Sequence, residues 1–401
     1  MDPKFLIEGL ALKAKGKRSP KSILNEIAAH IGIEINGKNP WDIQVFDERF
    51  YSRVVANGSI GFGEAYMEGW WETEQLDELF YRITLLRNRN LLDNPIRYLG
   101  VWLEAKILNR QTKGKSKKVI DAHYNLSNEM YQAMLGKTMA YTCAYWKEAK
   151  TLDDAQNAKY DLVCRKLDLK PEDQVLELGC GWGGFANFAH KNFGCRLVSV
   201  NISEEQIKFA RQNYPDAAQF YLCDYRDPHI YNASGLKFDK VVSIGMCEHV
   251  GVENYKSWMQ LVADQMKDQS LFLLHTIGSN EYEVEANPWI DKYIFPKSAL
   301  PSPKSLGNAI DRVFTLEDWH DFGVDYDRTL LEWFKNFDED WEKGEKLPQY
   351  LKLKKMDRNT FYRMWKYYLL SVAGCFRSRY ISLWQLVLSK NGVLGGYQTV
   401  R

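Results

Sequence analysis

Apolar and polar positions repeat along this 401-residue chain in two different ways. From Ser22 to about Asn109 the apolar spacing is three and four residues, as in SILNEIAAHIGI and LDELFYRITLLRNRNLL, which predicts amphipathic helices. Between them, IGFGEAYMEGWW carries glycines that predict turns or close backbone approach. From about Lys170 the pattern changes. QVLEL predicts a strand running into a glycine-rich turn, and FANFAHKNF a helix. RLVSV and SEEQIKFARQNY repeat strand and helix, with Ser203 as N-cap. QFYLC, FDKVVSIGM and SLFLLHTIG predict three more strands, with a helix in VENYKSWMQLVADQM before the last. Strands alternating with helices predict an α/β fold: a Rossmann-like, doubly wound, mostly parallel sheet with right-handed crossovers. The expected organisation is a helical N-terminal domain over 1–110, a basic linker over 111–120 and a catalytic domain over 121–401.

Composition narrows the picture. Hydrophobic residues make up 45% and charged residues 26%, and a net charge of +1 leaves no nucleic-acid footprint. The seven cysteines (Cys143, Cys164, Cys180, Cys195, Cys223, Cys247 and Cys375) form no CxxC pair, so no metal or redox motif is expected. No stretch has the length and apolarity of a signal peptide or a membrane span, which predicts a cytoplasmic chain. QTKGKSKK at 111–118 reads as a solvated linker or as a contact for anionic lipid headgroups. Lys343, Lys346, Lys352, Lys354 and Lys355 form a second basic run, read by default as a solvated face.

Candidate chemistry gathers where strands end, since ligands on such sheets bind beyond the strands' carboxyl ends. Glu177-Leu-Gly179-Cys-Gly181-Trp-Gly183-Gly184 follows the first predicted strand. Its glycines let the backbone turn sharply and approach a ligand, and the following helix offers free N–H groups. Gly179, Gly181 and Gly184 also satisfy GxGxxG, so a dinucleotide is the alternative. Two residues favour S-adenosylmethionine: Glu177 can meet its cationic amino-acid end, and Asn201 stands where a NAD ribose wants Asp or Glu. Asp224 follows the third strand and reads as an adenine contact or a surface carboxylate. Glu248 follows the fourth, as base, cation stabiliser or anchor, with His249 beside it as a helix cap. His275 ends the fifth strand in the same topological place, as a functional group or a satisfied core residue.

Seven segments in order, YTCAYW (141–146), VLELGCGWGG (175–184), NISEEQ (201–206), GMCEHVG (245–251), LLHTIGS (273–279), PWIDKYIFP (288–296) and DWHDFGVDYDRTL (318–330), resemble the cyclopropane fatty acid synthase family. GSIGFGEAYMEGWW resembles the bacterial, phospholipid-modifying members. The resemblance implies a class I methyltransferase domain. It would add a methylene from S-adenosylmethionine across a cis double bond of a phospholipid acyl chain, through a carbocation deprotonated by bound bicarbonate. Carried over motif by motif, Cys143, Glu248, His275, the backbone at Ile277 and Tyr326 would cradle the bicarbonate. The methyl donor would be held by Tyr141 and Thr142, by Val175, Leu176, Glu177, Leu178, Gly179, Cys180, Gly181, Trp182 and Gly183, by Asn201 and Gln206, and by Asp224 and Tyr225. Relatives often carry Thr at Asn201 and, in the C-terminal helix expected over YYLLSVAGCFR, Cys at Val372, so an essential Cys in that helix is not expected, Cys375 notwithstanding. The resemblance also implies a homodimer through the N-terminal domain and peripheral association with the membrane's inner face. Trp289, Tyr293 and Phe295 are expected to line an acyl slot or to pack in a core. The rival readings are a same-fold enzyme that stops at methylation and a non-catalytic lipid- or nucleotide-binding scaffold.

Overall fold

The computed structural model describes residues 19–85, 128–227, 237–280, 284–285, 287–343 and 356–401. The expected linker at 111–118, the tail before Ser19 and Lys346, Lys352, Lys354 and Lys355 lie outside these residues. The chain divides into two compact units. One takes residues 109–285, 297–329 and 382–401; the other takes 1–108, 286–296 and 330–381.

The first unit is built on a seven-stranded sheet: β1 (Gln174–Leu178), β2 (Arg196–Asn201), β3 (Ala218–Leu222), β4 (Phe238–Ile244), β5 (Met266–Gly278), β6 (Thr315–Asp321) and β7 (Ser382–Ser389). The spatial order is β6-β7-β5-β4-β1-β2-β3. β1 to β5 pair in parallel, as their alternation with helices predicts. β7 runs antiparallel between β5 and β6. The helices used below are α1 (Asn128–Leu135), α2 (Leu152–Lys166), α3 (Gly184–Phe193), α4 (Glu204–Asn213), α5 (Tyr255–Gln265), α6 (Pro303–Ile310) and α7 (Val324–Lys343). Ser203 caps α4 as expected, accepting from the Gln206 amide. Central strands read as continuous apolar runs because both sheet faces are covered. Val175, Leu197 and Leu273 meet Phe185 and Ala186 on one side; Leu176, Val241 and Phe272 meet Trp258 and Met259 on the other.

The second unit is helical, with an aromatic core. Ring centroids lie 4.3 Å apart for Phe62 and Trp71, and 4.5 Å for Trp289 and Tyr367. Helix Arg358–Arg377 packs on helix Leu76–Leu85, with Gly374 against Asp77 and Phe80. Arg363 donates to Glu72 Oε2 (2.6 Å) and Trp71 O (2.9 Å). The expected 121–401 catalytic domain therefore differs from the observed grouping. Of the described residues, 287–296, 330–343 and 356–381 return to the helical unit, because the apolar faces they carry have their partners there. In IGFGEAYMEGWW both expected roles of glycine appear: Gly61 lies against the Arg53 backbone and Gly69 takes a positive φ of 75° in the turn after the helix. Residues 60–67 are helical, within Arg49–Met67, and the break comes earlier, at Gly58 (φ 55°, ψ −133°). Gly63 serves packing, since a side chain there would run into the Trp289 indole. Trp289 itself is only 1% exposed and sits in this core, with Tyr293 beside it and Phe295 against Tyr368.

Candidate active site

A cleft opens at the carboxyl ends of β1 and β4, where the strand order reverses. Gly179, Gly181 and Gly183 carry the turn out of β1 with φ of 83°, 53° and 84°, a conformation costing other residues about 1–2 kcal/mol. The Gly179 and Cys180 amides donate to Val200 O at 2.9 and 3.1 Å, pinning the loop to β2. Glu177 is buried, and burial lifts its carboxyl to about 7 against the pull of the Ser199 hydroxyl, which donates to Oε2 at 2.6 Å. Asn201 Nδ2 donates to Gln206 Oε1 (2.7 Å) and Gly181 O (3.3 Å), joining β2, the loop and α4 in one polar cluster. Asp224 is gripped by Arg226, whose Nε and backbone N donate to Oδ1 at 2.7 and 2.9 Å.

Tyr141, Thr142, Glu177, Gly179, Cys180, Gly181, Trp182, Asn201, Gln206, Asp224 and Tyr225 all line this cleft. Val175, Leu176 and Leu178 do not; they are fully buried in the apolar clusters flanking the sheet. Gly183 caps α3 against Ala210 and Phe220.

A second group of polar residues lies beside the cleft. Glu248 follows Met246, a lining residue, and is buried. Its Oε1 accepts from the Ile277 amide at 2.7 Å, so the backbone donor expected to face a bound ion is engaged by Glu248. Burial raises this carboxyl to about 7, with the Ile277 amide pulling it down. Its other oxygen, Oε2, has no hydrogen-bond partner among the described residues. His275 is 1% exposed and two residues before Ile277, so both side chains leave the same face of β5. Burial holds its pKa well below the usual histidine value, and its Nε2 is likewise unpartnered among the described residues. Cys143 is buried, its thiol donates to Ala144 O at 3.2 Å, and burial pushes its pKa well up. Tyr326 is buried in the first turn of α7. The strap carrying Cys143 is tied to the first two turns of that helix: Trp146 N donates to Asp325 Oδ2 (2.7 Å), and Ala144 N and Trp146 Nε1 donate to Thr329 Oγ1 (3.1 and 2.9 Å). Phe322 bridges to His275, with ring centroids 6.0 Å apart. Cys375 lies in the helical unit, with its thiol pushed up to about 12 by burial.

Several participants escape the sequence reading. Gln156 Nε2 donates to Thr142 O (2.9 Å), and Lys159 Nζ to Thr142 Oγ1 (2.8 Å), holding the strap from α2. Lys159 is fully buried with no carboxylate partner among the described residues, and burial lowers its pKa to about 7. Gln385 on β7 contacts His275. The available signal is a polar residue on an otherwise buried face, legible only once that face is known.

Residues 111–386 match the mycolic acid cyclopropane synthetase family. The chain is 41% identical, over 94% of its length and 95% of the relative's, to the cyclopropane-fatty-acyl-phospholipid synthase of Escherichia coli K12. The fold is similar to that of the cyclopropane synthase MmaA2 from Mycobacterium tuberculosis, with a TM-score of 0.60 and 24% identity, covering 71% of this chain and 100% of that one. It is also similar to the mycolic acid cyclopropane synthase CmaA1 complexed with SAH and CTAB, with a TM-score of 0.59 and 26% identity, covering 68% and 98%.

Proposed function

The chain belongs to the mycolic acid cyclopropane synthetase family, and on that premise we propose that it makes cyclopropane rings in membrane phospholipids. A methylene group passes from S-adenosylmethionine to the cis double bond of an unsaturated acyl chain. The phospholipid substrate is supported by the 41% identity with the Escherichia coli enzyme of that name. The cleft lined by Glu177, the glycine loop and Asn201 is the place for the methyl donor.

One observation carries the chemical reading: two buried polar atoms at neighbouring strand ends, Glu248 Oε2 and His275 Nε2, have no hydrogen-bond partner among the described residues. An unpaired buried polar group costs about 1–3 kcal/mol, so the pair calls for a small ligand that both donates and accepts. Bicarbonate fits this donor set. Glu248 and His275 would hold it, with further contacts proposed from Tyr326 and the Cys143 thiol, both buried and carried by a strap and a helix that are tied together. When bound, that ion supplies a base for the proton lost from the newly transferred methyl group. The residues of the chain do the rest. Their burial keeps water away from a carbocation, and the Glu248 carboxylate places negative charge near it. Among the described residues no helix is long and apolar enough to cross a membrane, which suits a peripheral mode of access to lipid. We assign homodimer formation to the helical unit, testable by sedimentation.

The experiment is incubation with labelled S-adenosylmethionine and liposomes of unsaturated phospholipid, followed by acyl-chain mass analysis. Cyclopropanation adds CH2 and removes the double bond; methylation alone would favour the same-fold rival. Glu248→Gln is expected to abolish turnover while cofactor affinity holds. Folded, cofactor-bound protein that transfers no label would overturn the proposal.

A further inference from the structure

The ring of His275 has a neighbour that decides which of its nitrogens carries the proton. β5 and β7 pair antiparallel, and the register sets His275 directly opposite Gln385. Both side chains are buried, at 1% and 0% exposure. Gln385 Nε2 lies 3.2 Å from His275 Nδ1. A carboxamide nitrogen can only donate, so the Nδ1 facing it must present its lone pair. A neutral imidazole has one proton, and burial keeps this ring neutral. The proton therefore sits on Nε2, the nitrogen with no partner among the described residues.

We infer that Gln385 is a positioning residue that locks His275 in the Nε2–H tautomer, so that, on the function proposed above, His275 Nε2–H serves as a donor to the ion for which Glu248 Oε2 serves as acceptor. Only its link to the ion and to turnover rests on that function; the tautomer stands on the strand register and the contact. The polarity of the pair sets the ligand class. A small oxyanion that keeps a hydrogen can satisfy both atoms, donating a hydrogen bond to Glu248 and accepting one from His275. An anion with no hydrogen would meet Glu248 with lone pairs only. With the reverse tautomer both open atoms would be acceptors, and an anion would find no donor in the pair. Orienting a functional imidazole through its far nitrogen is a general device in catalysis.

The test has two arms. In protein labelled with 15N-histidine, with His275→Gln giving the assignment, long-range 1H–15N correlation reads the tautomer directly. The expected result is a protonated Nε2 and an unprotonated Nδ1; a proton on Nδ1 overturns the assignment. The second arm is a double-mutant cycle on kcat. Gln385→Met keeps the volume and removes the donor, and is expected to lower kcat about tenfold with the affinity for S-adenosylmethionine unchanged, since Gln385 does not line the cleft. In a His275→Gln background, where a side-chain amide can present N–H without help, the same change is expected to cost less than about twofold. Equal losses in both backgrounds mean a merely structural role and overturn the inference. If the methionine variant does not fold, the tautomer of the unaltered protein still decides. A correct tautomer in protein that transfers no methylene would count against the proposed function and not against the lock.

Discussion

Thr329→Val keeps the size and branching of the side chain and deletes one oxygen. That oxygen is fully buried. It accepts from Ala144 N at 3.1 Å and Trp146 Nε1 at 2.9 Å, and donates to Asp325 O at 2.7 Å. Valine leaves two buried N–H groups unpaired, each costing about 1–3 kcal/mol. Two donors sharing one acceptor are weaker than two separate bonds, so a total of about 3 kcal/mol is expected. No cavity contributes, because the methyl replaces the hydroxyl at nearly equal volume. Thr329→Ser keeps the oxygen and loses only a methyl group, at about 1 kcal/mol. Equilibrium urea unfolding followed by tryptophan fluorescence measures both. Turnover should fall with stability in the valine variant, since Cys143 precedes one of the released amides. A loss below about 1 kcal/mol for valine, or equal losses for valine and serine, would show that this hydroxyl does not hold the strap.

Glu248, raised to about 7 in the folded protein against an ordinary 4.5, makes stability depend on pH. The sign follows from linkage: its contribution is fully present below about 4.5 and is lost as pH rises through 7. Glu248→Gln should therefore gain on the unaltered protein between pH 5 and 8, by on the order of 3 kcal/mol, and parallel unfolding curves would refute the shift. Asp318 accepts from Arg401 at 2.6 and 2.7 Å and pairs with the buried Lys166 at 3.4 Å. Asp318→Asn strands that ammonium at a cost of about 3–5 kcal/mol near neutral pH. The loss should shrink in alkali, because Lys166 is lowered to about 8 and sheds its charge; a pH-independent loss would disprove this. Gly179→Ala meets a positive φ and a Met246 side chain 3.0 Å away, so S-adenosylmethionine affinity by calorimetry should drop about tenfold.

The parallel half of the sheet was legible because its signals are local. QVLEL, RLVSV and FDKVVSI are apolar runs bounded by turns, and the glycines after Glu177 announce a ligand loop. The Ser203 cap is equally local. What escaped depends on partners distant in sequence. SLWQLVLS looks like an ordinary buried strand, and only its placement between β5 and β6 puts Gln385 opposite His275. Gln156 and Lys159 lie on a helix whose buried face cannot be told from its period alone, since Lys166 is buried on it too. Helix Arg358–Arg377 is apolar around much of its circumference, which says that it is covered without saying by what. The cleft residues Asn201, Gln206, Asp224 and Tyr225 were readable because strand ends are. Val175, Leu176 and Leu178 share the motif and face the core, Val175 on one side of the sheet and Leu176 and Leu178 on the other, because both faces of the sheet are covered.

The late position of β7 in the chain bears on the order in which the molecule matures during synthesis. The residues lining the cleft proposed for the methyl donor lie between Met139 and Val250, and β5 with His275 follows soon after. The strand carrying Gln385 leaves the ribosome more than a hundred residues later, after the last helix of the helical unit. A nascent chain can thus complete its nucleotide-type pocket while β5 still has an unpaired edge and His275 is free to choose either tautomer. On the proposed roles of these residues, reagent binding and chemical competence would be acquired at separate moments of translation. A chain arrested between them would bind the methyl donor with its proton-handling site unfinished.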